Sequence, residues 1–63
     1  MYTLVGVDGN SFSIMGYVRR AMKRCGKTKE EIDEYINRAM SSDYHNLLTV
    51  SEDMCMELNE EGI

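Results

Sequence analysis

The strongest constraint on how this chain folds is a complete helix signature between Thr28 and Met40. Thr28-Lys29-Glu30-Glu31 has the spacing of a capping box, in which the Thr and Glu side chains satisfy each other's backbone donors. Behind it Ile32, Tyr35, Ile36, Ala39 and Met40 fall at i, i+3, i+4, i+7 and i+8, an amphipathic stripe. Glu30 and Glu31 also suit the positive end of the helix dipole. A helix at the centre of the chain then frames the reading on either side.

Upstream, Ile14, Met15, Val18, Ala21, Met22 and Cys25 recur at helical spacing. Asn10 is a good N-cap for them, and Gly26 stands where a left-handed residue would end the helix. These bounds predict a first helix over about residues 11–25. Before it, Tyr2-Thr3-Leu4-Val5-Gly6-Val7 is rich in strand formers and stops at the turn signal Asp8-Gly9. Downstream, Ser41-Ser42-Asp43 offers a cap, and Tyr44, Leu47, Leu48, Ser51, Cys55 and Leu58 share one helical face, with Met54 at its margin. The favoured reading is a third helix over about 43–58, with polar residues 59–63 frayed. A rival uses the second capping box Thr49-Val50-Ser51-Glu52, which makes Tyr44–Val50 extended and starts a shorter helix near 50. The expected fold class is therefore mainly α, a short N-terminal strand followed by two or three amphipathic helices. The alternative is α+β, with residues 44–50 as a second strand.

With 63 residues there is one small domain, residues 1–63, and a marginal core. Chains of this size usually add a disulfide, a metal or a partner subunit. Cys25 and Cys55 could form at most one bridge, and Met1-Tyr2-Thr3-Leu4 has neither the basic nor the apolar region of a secretory leader. Both cysteines are expected to be buried, reduced thiols in a cytoplasmic protein. No apolar run has the length of a membrane span. An isolated strand leaves a row of unpaired backbone groups, so the N-terminal strand is expected to pair with its copy in a homodimer or higher oligomer.

Few residues suggest chemistry. Ala21-Met22-Lys23-Arg24-Cys25-Gly26-Lys27-Thr28 loosely matches a phosphate-binding P-loop, but such a loop needs glycine-rich backbone between a strand and a helix. Here its first half lies on a helix, and a helix end followed by a helix start accounts for it. Cys25, Cys55 and His45 lack the close spacing of a zinc site, so no metal and no cofactor are expected. A 63-residue chain rarely builds the cleft and oxyanion site that a Cys–His nucleophile requires. The protein is read as not an enzyme.

The charge is distributed unevenly. Residues 1–29 hold six Lys/Arg and one acid, residues 30–63 one Arg and ten acids, for a net charge of -4. Such asymmetry marks either a charged partner or two segments that neutralise each other. Placed at about 100° per residue, Arg19, Arg20, Lys23, Arg24 and Lys27 occupy the arc of helix 1 opposite its apolar residues, with Gly16 among them. Three readings stay open: a solvated face partly paired with acids of helices 2 and 3, a phosphate-binding surface, or a dock for an acidic protein or membrane surface. Only Tyr17 lies near this arc to stack on a base. Asn10, after Asp8-Gly9, adds an anion site at the helix start as a further candidate, against the simpler reading of a turn and a cap.

Gly9-Asn10 with Phe12, Gly16 and Ala21, then Gly26, Glu30-Glu31 and Ser42-Asp43-Tyr44 before Leu47-Leu48, resembles a loose group of short phage and bacterial proteins. The likeness covers residues 5–50 and departs at Ser42, where glycine is expected. No activity is established for that group, so the resemblance implies only a phage or bacterial accessory context and carries over no site residue. The expected function is a non-catalytic interaction protein that binds another protein. The alternative is binding of nucleic acid or a phosphorylated nucleotide through the basic face of helix 1.

Overall fold

The computed structural model describes residues 1–61 and contains three helices in order: α1 (Ser11–Arg24), α2 (Lys29–Ala39) and α3 (Tyr44–Glu61). Each begins on a side chain that takes up orphan backbone donors. Asn10 Oδ1 accepts from the N–H of Phe12 at 2.8 Å and of Ser13 at 3.4 Å. The Thr28–Glu31 capping box is complete, with the Thr28 N–H donating to Glu31 Oε1 at 2.9 Å and the Glu31 N–H to Thr28 Oγ1 at 3.2 Å. Asp43 Oδ1 accepts from the Asn46 N–H at 2.9 Å at the start of α3.

The helix ends are equally determined. Gly26 has φ 83, and around it the Lys27 N–H donates to Met22 O at 3.0 Å and the Gly26 N–H to Lys23 O at 3.1 Å. That pair of bonds is the Schellman arrangement. At the end of α2, Asn46 Nδ2 donates to Arg38 O at 2.9 Å, and Ser41 Oγ donates to the same oxygen at 2.7 Å.

α3 is the spine on which α1 and α2 pack, while α1 and α2 touch each other less. The chain measures 30 × 26 × 15 Å. Two helices stacked at about 8–10 Å, each with a Cα radius of about 2.3 Å, account for a thickness near that smallest dimension. Val18, Met22, Tyr35 and Leu58 are the most enclosed core side chains, together with Ser51. The Tyr35 hydroxyl and Ser51 Oγ, 2.6 Å apart, form a buried polar link between α2 and α3. No helix among the described residues is long and apolar enough to cross a membrane.

Three expectations are corrected. Neither the N-terminal strand nor a strand at residues 44–50 is found among the described residues. Thr49–Glu52 lies inside a continuous α3, because only an unbroken helix brings Leu47, Ser51, Cys55 and Leu58 to one buried face. The frayed end predicted at residue 59 is also displaced, since α3 runs to Glu61; Gly62 and Ile63 lie outside the described residues.

The N-terminal segment turns instead of extending because Gly6 takes φ 85 while the Val7 N–H donates to Leu4 O at 3.1 Å. Glycine at the third position of a β-turn supplies the positive φ that a type II turn requires. Asn59 on α3 then substitutes for a neighbouring strand. Its Oδ1 accepts from the Tyr2 N–H at 2.7 Å and its Nδ2 donates to Tyr2 O at 2.8 Å. The Thr3 N–H donates to the Tyr17 hydroxyl at 3.0 Å, and the Tyr44 hydroxyl donates to Gly9 O. With these backbone groups satisfied inside the chain, pairing of an exposed strand no longer supports self-association.

Candidate functional site

The five predicted basic residues divide into three groups. Lys27 is absorbed by the fold: its side chain is only 13% exposed, and Nζ lies 2.9 Å from Glu61, 3.2 Å from Glu57 and 3.9 Å from Glu31. Hydrogen bonds to Glu61 and then Glu57 push its pKa well above the ordinary lysine value, so it stays charged. This is the neutralisation between chain halves that the charge pattern suggested, carried by Lys27 in the connection after α1 and, within α2, by Lys29 with Asp33 at 3.3 Å. Arg19, Arg20, Lys23 and Arg24 are exposed, with no ion pair within 4.0 Å among the described residues.

These four point to two flanks, as their i, i+4 spacing requires. Arg20 and Arg24 lie on the side of Tyr17 and the N-terminal segment. Arg19 and Lys23 border a groove of about 630 Å³ between α1 and α2, whose opposite edge is the Lys29–Asp33 ion pair at 3.3 Å. Met15, Ile32 and Ile36 line it, and Phe12 and Met40 stand 77% and 60% exposed. The groove exists because both helices lean on α3 more than on each other. Gly16 also lines it, with Arg20 Nη1 3.4 Å from the place a side chain would start.

Asn10 is not placed at an anion site. Its side-chain oxygen already occupies the α1 N-terminal donors that such an anion would use, and Asp8 Oδ1 accepts the Asn10 N–H at 3.2 Å. Tyr17 is likewise engaged, packed edge-on against Tyr2 with ring centroids 6.5 Å apart and accepting the Thr3 N–H. It is not free to stack on a base.

Both cysteines are free thiols. Cys55 is buried, and burial raises its pKa, the opposite of what a nucleophile needs. Cys25 is half-buried and contacts the Tyr2 hydroxyl through Sγ at 3.9 Å, a contact that raises the Tyr2 pKa. Among the described residues no group of three or more His, Cys, Asp or Glu side chains is placed to hold a metal ion, and His45 is exposed on α3. Residues 21–24 of the P-loop-like run form the last turn of α1.

Sequence reading missed the apolar half of this site. The available signal lay in the α2 stripe, which has partners at both i+3 and i+4 and is wider than one neighbour can cover. Ile32, Tyr35 and Ala39 take the core, leaving Ile36 half-buried and Met40 exposed. Phe12 gave a second signal, an aromatic in the first turn of α1 outside its apolar arc. No protein-family model matches the chain, and neither a curated protein nor a solved structure matches it.

Proposed function

We propose that this chain is a non-catalytic interaction protein that holds an acidic amphipathic helix of a partner protein in the α1–α2 groove. The observation that carries the reading is an apolar groove with exposed Phe12 and Met40, bordered by Arg19 and Lys23, neither in an ion pair among the described residues. Helix-in-groove recognition uses apolar anchors at i, i+3, i+4 and i+7, and acidic flanks on such a helix would meet this cationic edge. A phosphate ligand is the weaker fit, because the free cations diverge onto two flanks and Tyr17 is engaged. A cytoplasmic setting rests on the sequence reading of two reduced cysteines. A phage or bacterial accessory role rests on the resemblance alone.

The test is fluorescence anisotropy with a labelled helical peptide carrying leucine at those four spacings and glutamate on its flanks. Binding is expected, with at least about tenfold loss, or about 1.4 kcal/mol, on Arg19→Glu plus Lys23→Glu. A lysine-flanked peptide that binds as well would refute the reading. A labelled oligonucleotide that binds more tightly than either peptide would transfer the proposal to nucleic acid.

A further inference from the structure

The face of α3 opposite its core carries an exposed apolar side chain, Met56, 60% accessible. One turn away on either side stand Glu52, Asp53 and Glu60, all exposed and none in an ion pair among the described residues. The groove between α1 and α2 has the inverse pattern, an apolar floor with Arg19 and Lys23 at one edge, neither in an ion pair among the described residues, and the neutralised Lys29–Asp33 pair at the other. No residue of α3 lines that groove, so a chain does not fill its own groove with its own Met56.

We infer that a second copy of this chain seats the Met56 face of its α3 in the groove. This rests on the groove being a docking site, as proposed above, and names its occupant when no other partner is present. Charge complementarity selects the copy. The opposite charges of the two chain halves meet within one molecule mainly at Lys27, so Arg19 and Lys23 stay uncompensated on one surface and Glu52, Asp53 and Glu60 on another. Methionine suits the contact because its unbranched thioether adapts to an irregular apolar surface. The two surfaces differ, so each copy keeps one free after a single contact, and the assembly grows or closes into a ring. An acidic helix from a partner competes for the same groove and dissolves it.

Sedimentation equilibrium tests this from about 1 µM to about 1 mM chain, the range of weak to moderate affinities. The average mass is expected to rise with concentration at low salt. It falls toward the monomer at about 1 M salt, where the Debye length is about 3 Å. Arg19→Glu with Lys23→Glu removes the groove surface, and Met56→Glu removes the α3 surface. All three positions lie at or next to solvent, and circular dichroism melts check that both variants fold. Each variant alone is expected to be monomeric, and the two mixed are expected to form a one-to-one dimer and nothing larger, since each supplies the surface the other lacks. A wild-type chain that stays monomeric at low salt overturns the inference, as does association that neither variant weakens, or a mixture that does not dimerise. If the glutamate-flanked peptide still binds a monomeric wild type, only the second-copy occupant fails and the docking groove stands. If copies associate through these surfaces and the peptide does not bind, the partner-helix reading fails instead.

Discussion

The bond between Tyr35 and Ser51 allows a sharp test of how this core is held. Both side chains are almost fully enclosed, at 1% and 0% exposure, and their oxygens lie 2.6 Å apart. Ser51→Ala leaves the Tyr35 hydroxyl without a partner inside the core, which costs about 1–3 kcal/mol. Tyr35→Phe is milder, at about 1 kcal/mol, because a helical serine can turn its hydroxyl back to the carbonyl one turn earlier, here Leu47. The double variant contains no orphan and should lie within about 1 kcal/mol of the wild type, leaving a coupling of about 1–3 kcal/mol between the sites. A chain of this length has only about 3–9 kcal/mol of stability, so these are large fractions of it. At about 4–8 °C per kcal/mol, Ser51→Ala should lower Tm by about 4–24 °C. Urea unfolding followed by circular dichroism on the four proteins measures the cycle. Losses that simply add in the double variant, or Tyr35→Phe worse than Ser51→Ala, would refute the reasoning.

Three further outcomes follow from the same structure. Gly26 has φ 83 and open space where an alanine methyl would stand, so Gly26→Ala acts through backbone strain alone; about 1–2 kcal/mol and a Tm loss of at least about 4 °C are expected, read by thermal melts. Lys27→Met should lower Tm at low salt and much less at about 1 M salt, because its three carboxylate partners are screened there; a salt-independent loss would contradict the ion-pair role. Burial raises the Tyr35 phenol above its ordinary 10.0 and the Cys55 thiol above 9.0. The folded state therefore holds protons that the unfolded chain releases, and this stability is present below pH 9 and lost as pH rises. Tm measured from about pH 8 to about pH 11 should fall, and Cys55→Ala with Tyr35→Phe should flatten the slope.

Helices were legible where their signals are local. Thr28 with Glu31, Asn10 with the α1 donors, and Gly26 at the α1 end each act within a few residues, so the letters carry them. The N-terminal segment was misread because Tyr2–Val7 has the propensity of a strand, while its conformation is decided by Gly6 and by an amide 57 residues away. Lys27 could not be separated from the other cations for the same reason, since Glu57 and Glu61 reach it only after α3 has packed. The groove depends on where α1 and α2 lean, and neither stripe states which neighbour it will meet.

The Asn59 clasp has a consequence for the order in which the molecule assembles. Joining Tyr2 to Asn59 in an unfolded chain closes almost its whole length, and closure entropy grows with loop length. Once α1 and α3 have packed, the same contact needs only the ordering of a ten-residue lead into α1. The segment is therefore expected to lock after the rate-limiting step, as contacts absent from the transition state do. Asn59→Leu should leave the folding rate almost unchanged and raise the unfolding rate, so that the clasp works as a kinetic latch on a bundle already built.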